Sequence, residues 1–160
     1  MKVYLVFFFL ISTFFSYSQE STTYEEIDSV AYYSNLSDSH VKANKYKHAL
    51  NYTQKAIHYS IKNNDSESHA IQTSNLGKLY YDVKKYDDAI KSYTKSLSLS
   101  KYFKLNTTQA VTHYFLGMCY MQKKEINKAS NSFQKAESIY NSLKITVATD
   151  LIQLQKGIIY

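Results

Sequence analysis

The chain has 160 residues, and 44% of them are hydrophobic, which is enough apolar material for a buried core. Its 19 basic residues are all Lys and outnumber 13 acids, for a net charge of +6. Because Arg is the usual bidentate reader of phosphate and guanine, its absence argues against a nucleic-acid-binding protein. Pro is absent and Gly occurs three times, which favours long uninterrupted helices.

The chain opens with a predicted secretory signal peptide over residues 1–18. A positive start is followed by the apolar run 3–15, and then by small residues at Ser16 and Ser18, where a signal peptidase reads. The apolar run is short against the ~20 residues that a membrane span needs. We therefore expect export to the periplasm or beyond, cleavage near Ser18, and no membrane insertion of the remaining chain. A segment over 19–29 should lead into the first helix.

Four short phrases then recur at intervals of 40 residues, and we number the places of each repeat from Val30, Ala70, Ala110 and Asp150. The eighth place is small: Ser37, Gly77, Gly117 and Gly157. The seventh and eleventh places share its helical face and carry Leu36, Leu76, Leu116 and Lys156, and His40, Tyr80, Tyr120 and Tyr160. The small eighth place should let a second helix approach closely, with Tyr80 and Tyr120 buried beside it.

The second half of each repeat predicts another amphipathic helix. Its twentieth place is always Ala, and its twenty-fourth is Thr53, Tyr93 or Phe133. Polar breaks separate the two halves, and slightly longer ones separate the repeats, with Ser66 and Thr107 as expected N-caps. The predicted units are 30–69, 70–109, 110–149 and a partial fourth unit over 150–160.

This pattern resembles the tetratricopeptide repeat, whose signature combines Leu-Gly, Tyr, Ala, an aromatic residue and Ala. The second repeat matches at Leu76-Gly77, Tyr80, Ala89 and Tyr93, and the third at Leu116-Gly117, Tyr120, Ala129, Phe133 and Ala136. The resemblance implies an all-α, right-handed solenoid of antiparallel helix pairs, with three full repeats and the first helix of a fourth. The period of 40, against ~34 in the family, should lengthen the helices or the outer loops.

No pattern in the chain predicts catalysis. There is no glycine-rich phosphate loop or nucleophile elbow, and no two His residues lie three or four places apart as metal ligands would. The lone Cys119 occupies a small or apolar place of the repeat, where a thiol acts as a hydrophobe. We expect no catalytic residue, metal or cofactor, and a protein that is not an enzyme.

The resemblance implies instead a concave groove lined by the first helix of each pair. Its places hold the predicted peptide-binding residues, which are Asn35, Asn75, Lys78, Tyr81, Tyr114, Met118 and Met121. Asn35 and Asn75 share the sixth place, where an amide can bind a peptide backbone or simply meet solvent. The aromatic and Met residues of the third repeat suit adaptable apolar contacts, but could equally be buried under the fourth unit.

The last eleven residues are apolar around much of the predicted helix, which carries Leu151, Ile152, Leu154, Ile158, Ile159 and Tyr160. A closing helix should have a polar outer face, so we expect further repeats or another chain to cover this one. The combined prediction is an exported module that binds a protein or peptide. It is the sensor part of a larger bacterial regulator or, alternatively, a stand-alone periplasmic scaffold or assembly factor.

Overall fold

The computed structural model describes residues 29–159, which form only helices and turns. The first helix, α1, covers 29–42 of the described chain, and six more follow: α2 (Tyr46–Lys62), α3 (Ser66–Asp82), α4 (Tyr86–Tyr102), α5 (Asn106–Gln122), α6 (Ile126–Ser142) and α7 (Thr146–Ile159). The predicted signal peptide, its cleavage point and residues 19–28 lie outside the described residues. None of the helices described is long and apolar enough to cross a bilayer.

The repeat of 40 residues is two equal steps of 20. Each of the helices α2 to α6 has 17 residues, and each link between neighbouring helices has three. The expectation of longer links between repeats is therefore wrong. The excess over the ~34-residue family period lies in the helices. Helix pairs begin at Ser66, Asn106 and Thr146, so the repeat starts chosen from the sequence fall one turn inside each first helix.

All six links end the preceding helix in the same way. The middle residue of each has a positive φ, between 55° and 62°: Asn44, Asn64, Lys84, Lys104, Lys124 and Lys144. The residue after it donates its N–H to a carbonyl five positions back, as from Lys85 to Tyr80 at 2.8 Å. This left-handed turn satisfies carbonyls that the helix end leaves free, and it normally favours Gly or Asn.

The expected N-caps Ser66 and Thr107 are wrong by one or two positions. Asp65 caps α3, and its carboxylate accepts the backbone N–H of Ser68 at 2.9 Å, while Ser66 is already helical. Helix α5 is preceded by Leu105, which makes no side-chain cap. The turn places the cap immediately after its left-handed residue, so the geometry of the turn, not the nearest hydroxyl, decides where the helix begins.

Each pair is held together by a large side chain of the second helix packed on the small eighth place of the first. A Cβ added to Gly77 would lie 2.7 Å from the ring of Tyr93, and one added to Gly117 would lie 2.6 Å from that of Phe133. Both rings are fully buried. In the first pair the same contact is polar, because Ser37 and Thr53 are joined by a hydrogen bond of 2.7 Å.

The tyrosines at the eleventh place are less buried than the sequence predicts. Tyr80 and Tyr120 are half-buried at the margin of the core, and the ammonium of Lys128 lies 5.5 Å from the ring centroid of Tyr120. The full burial expected for them belongs instead to Tyr93 and Phe133. The core thus follows the twenty-fourth place of the repeat.

Helix α7 docks on the third pair as the first helix of a fourth. Ile152 is fully buried against the cluster around Phe133, and Lys156 pairs with Glu137 of α6 at 2.8 Å. Its other side is open among the described residues, because Leu151 and Leu154 are 51% and 63% exposed and a Cβ on Gly157 would meet none of their atoms within 4 Å.

Candidate functional site

A cleft of about 190 Å³ lies between α1 and α3, the first helices of the first two pairs. Apolar groups of Val41 and Leu79 form part of its wall, and the other lining residues are Ser37, Asp38, Lys42, Thr53, Gln72, Asn75 and Lys78. Two of the predicted groove residues, Asn75 and Lys78, therefore lie together in one concavity. We call it the α1/α3 cleft.

A chain of side-chain hydrogen bonds crosses from α1 to the amides of the cleft. Gln72 is buried and donates from Nε2 to the hydroxyl of Ser34 at 3.1 Å. Its carbonyl oxygen accepts the Nδ2 group of half-buried Asn75 at 3.4 Å, which is a long bond. The backbone of α3 thus presents Asn75 at the cleft, and the weak bond to Gln72 leaves its amide able to take a better partner.

The charges around the cleft balance. Lys78 pairs with Asp82 one turn along α3, with Nζ and Oδ2 separated by 2.7 Å. Asp38 and Lys42 line the α1 side and are exposed. Two ammonium groups and two carboxylates give no net attraction for a ligand of either sign, so complementarity here depends on shape and on the amides.

The other predicted groove residues lie outside this cleft and do not share one environment. Asn35 is exposed on α1 and does not line the α1/α3 cleft. Tyr81 is half-buried, with its ring 5.7 Å from that of Tyr86 and 6.4 Å from that of Phe115. Burial also raises the pKa of the Tyr81 hydroxyl.

Tyr114, Met118 and Met121 are half-buried against the core of the third pair. The ring of Tyr114 lies 5.8 Å from that of Phe133, and Ile152 of α7 completes the cluster. Of the two interpretations open for these residues, this arrangement favours burial beneath the fourth unit. They are not gathered with Asn75 and Lys78.

Sequence reasoning missed Gln72, Thr53 and Leu79 as parts of the site. Gln72 lies at the third place of the repeat, which is also buried at Thr112 and Ile152 but is exposed at Tyr32 in the first repeat. The available signal was the comparison between repeats, since Thr53 stands where the other two pairs have an aromatic ring. A small residue at a place normally filled by a ring predicts a cavity.

No arrangement in the described residues suggests chemistry. Within 29–159, no three His, Cys, Asp or Glu side chains gather closely enough to hold a metal ion. Cys119 is buried, and burial raises the pKa of its thiol to about 12, so it is protonated and a weak nucleophile at neutral pH. His113 is also buried, and the desolvation lowers its pKa to about 4, so the ring is neutral.

This arrangement defines a helical-repeat solenoid with a cleft between first helices. A family model described as tetratricopeptide repeat matches residues 68–142, and the chain has the tetratricopeptide-repeat fold. No curated protein matches the chain.

Solved structures share this fold at low identity. The apo form of RapI is 20% identical, with a TM-score of 0.72 over 86% of this chain and 54% of RapI. Aspartyl phosphate phosphatase F from Bacillus subtilis is 18% identical, with a TM-score of 0.74 over 84% of this chain and 37% of that protein. The Yersinia enterocolitica type III secretion chaperone SycD, solved with a peptide of the translocator YopD, is 18% identical, with a TM-score of 0.59 over 81% and 95%. This chain therefore spans about half of the first of these proteins and little more than a third of the second.

Proposed function

We propose that this protein is a non-catalytic interaction module that binds an extended segment of a partner protein along the face formed by α1, α3 and α5. The observation that carries the proposal is the α1/α3 cleft, where the amide of Asn75 stands beside an apolar wall. An amide can both donate to and accept from a peptide backbone. At about 190 Å³ the cleft is smaller than the roughly 300–1,000 Å³ of typical small-molecule sites, which favours an occupant the size of one side chain.

The comparisons support binding rather than catalysis. The SycD structure holds a peptide of another protein, and this chain is similar to nearly the whole of SycD. The phosphatase activity in the name of the Bacillus protein belongs to a chain of which only 37% corresponds to this one. Stacked helical repeats also present extended concave surfaces, which suits a partner in extended conformation.

The binding test begins with a peptide selected from a random display library against the purified protein. Its affinity is then measured by fluorescence anisotropy for wild type, Asn35→Ala, Asn75→Ala and the double variant. Each hydrogen bond to the backbone contributes ~0.5–1.5 kcal/mol, so the double variant should bind roughly 5- to 150-fold more weakly if the two sites act independently. Asn131→Ala, an exposed Asn on α6, is the matched control and should bind as wild type does. An unchanged affinity in the double variant would remove the assignment of both Asn residues.

We propose in addition that the module acts outside the cytoplasm, as part of a sensor in a bacterial regulator or as a periplasmic scaffold. The signal-like segment 1–18 supports export. Mass spectrometry of the protein from the periplasm of an expressing host should find a chain that begins at Gln19, whereas retention of residues 1–18 in the cytoplasm would contradict export. The gene beyond codon 160 separates the two settings: more repeats followed by ~20 apolar residues indicate the sensor, and a stop codon indicates the scaffold.

A further inference from the structure

The contact between α3 and α5 is filled by three aromatic rings. Phe115, at the sixth place of the third repeat, lies parallel to Tyr93 with ring centroids 5.9 Å apart and an interplanar angle of 7°. Phe115 also meets the ring of Tyr81 edge to face, at 6.4 Å. All three rings pack against the buried cluster of Ala89, Leu116 and Cys119. At this junction between the second and third repeats, aromatic rings fill the space between the two first helices.

The contact between α1 and α3 has none of these rings. One repeat earlier, the places of Tyr81, Tyr93 and Phe115 hold Val41, Thr53 and Asn75, and all three residues line the α1/α3 cleft. The cleft is therefore the space that an aromatic cluster occupies in the next junction. The α1/α3 cleft lies where it does, and has its size and apolar wall, because smaller side chains stand where the next junction has rings.

The polar groups at the base of the cleft are already satisfied. The hydroxyl of Ser37 is joined to that of Thr53 at 2.7 Å and also bonds the carbonyl oxygen of Ala49 at 3.1 Å. Gln72 bonds Ser34 and Asn75. An apolar ring that enters the cleft thus leaves the hydroxyls of Ser37 and Thr53 with their partners, packs on buried Leu79, and removes the exposed apolar surface of Val41 from water.

We propose that the α1/α3 cleft is a pocket for one aromatic side chain of the bound segment, which takes the place that Phe115 takes between α3 and α5. Asn75 stands at the pocket and binds the backbone beside the anchoring ring. The balanced charges of Asp38, Lys42, Lys78 and Asp82 suit a neutral ring better than a charged side chain. This inference rests on the proposed function, since it names the chemistry of the segment that the groove binds.

The first experiment uses amino-acid amides as probes. N-acetyl-phenylalanine amide, N-acetyl-leucine amide and N-acetyl-alanine amide are titrated while the methyl signals of Val41 and Leu79 are followed by NMR. The phenylalanine amide should produce saturable shifts at these methyl groups. The dissociation constant fitted from them should be at least tenfold lower than that of the alanine amide. Equal binding of the leucine amide would overturn the aromatic preference, and shifts confined to other residues would overturn the pocket.

The second experiment fills the pocket from within, as the third repeat does. Asn75→Phe copies Phe115, and Val41→Tyr copies Tyr81 while it keeps the Asn75 amide. Both should raise the melting temperature and weaken the selected display peptide at least tenfold. Asn131→Tyr, which adds a ring at an exposed site of α6, is the control and should leave the affinity unchanged. Two filled variants guard against one that misfolds, which circular dichroism would reveal.

The outcomes separate this inference from the function on which it rests. Peptides that share one aromatic residue, and lose affinity in both filled variants, support the pocket. Peptides that lose affinity in Asn35→Ala/Asn75→Ala but lack a common aromatic residue and still bind Val41→Tyr would overturn the pocket and leave the peptide-binding function standing. Specific binding of the phenylalanine amide without any library binder would leave the pocket and overturn the peptide-binding function.

Discussion

Replacing Gly117 by Ala should destabilise the third helix pair through one contact. The added methyl carbon would lie 2.6, 2.7 and 2.8 Å from three carbons of the Phe133 ring. The favourable separation of two carbons is ~3.5–4.0 Å, so the overlap approaches 1 Å. Phe133 is fully buried in the cluster with Ala129, Ala136 and Ile152, so its ring has no open space into which it can turn. The helices α5 and α6 must move apart instead.

The size of the effect is the difference between two terms. Overpacking in a close-packed core costs ~1–3 kcal/mol, and the rigid surroundings of Phe133 favour the upper part of that range. The higher helix propensity of Ala relative to Gly offsets up to ~1 kcal/mol of this cost. The free energy of unfolding should therefore fall by about 2 kcal/mol, which lowers the melting temperature by roughly 4–8 °C in a protein of this size.

Gly157 provides the control for helix propensity. Gly157 has the same place in its repeat, but its added Cβ would meet no atom within 4 Å in residues 29–159. Gly157→Ala should thus raise the free energy of unfolding, by at most ~1 kcal/mol because the residue lies near the end of α7. Urea unfolding followed by circular dichroism at 222 nm measures both variants. Two results would refute a clash with the Phe133 ring: a Gly117→Ala protein as stable as wild type, or a loss of stability that does not shrink in a Phe133→Leu background, where the ring is gone.

Three other expectations concern single side chains. Tyr93→Phe should raise the free energy of unfolding by ~1 kcal/mol, because the buried hydroxyl has no hydrogen-bond partner in the described chain; a loss in urea unfolding would contradict this. Lys124→Gly should raise the free energy of unfolding by ~0.5–1 kcal/mol, because Gly tolerates the positive φ at that position, whereas Lys135→Gly, at an exposed place within α6, should lower it by a similar amount; equal effects of the two in thermal melts would refute this account of the turn. The pKa of His113 is about 4 in the folded protein and near 6.5 in the unfolded chain. The free energy of unfolding should therefore be unaffected by this residue above pH 6.5 and should fall by up to ~3 kcal/mol as the pH drops to 4. In His113→Gln the free energy of unfolding, measured with urea at each pH, should depend less steeply on pH between 4 and 6.5, by the equivalent of one proton. An unchanged dependence would show that the proton binds elsewhere.

The fold could be predicted from the sequence because the same side chains meet at every repeat. Gly77 with Tyr93 and Gly117 with Phe133 are each a long-range contact that the 40-residue period makes visible twice. The turns were harder to place, since four of the six left-handed positions carry Lys, a residue with no preference for that backbone conformation. The links were located only as polar breaks, and the caps were misplaced because the turn geometry was not apparent.

The site could be predicted only where a residue keeps the same surroundings in each repeat. Asn35 and Asn75 share a place in the period, yet Asn75 lies between two first helices, whereas Asn35 is exposed with no earlier first helix among the described residues. The same rule predicts that Tyr114, Met118 and Met121 line the groove, and in the structure they are half-buried against the cluster of Phe133 and Ile152. Position in a repeat fixes which way a side chain points, but the neighbouring repeat determines whether it is covered.

Binding specificity in such a stack must come from the places where the repeat is broken, because places that follow the consensus are occupied by packing. Tyr93 is fully buried and Phe115 stacks on it, so these two rings fill their junction, whereas Thr53 and Asn75 leave theirs open. The first repeat matches the family pattern least, with Ser37, His40 and Thr53 at three of its defining places. Thr53, a small residue where the other two pairs have a ring, both weakens the match to the family pattern and leaves the cleft open. In this chain the residues that make the repeat hardest to recognise are therefore the first to examine for a ligand.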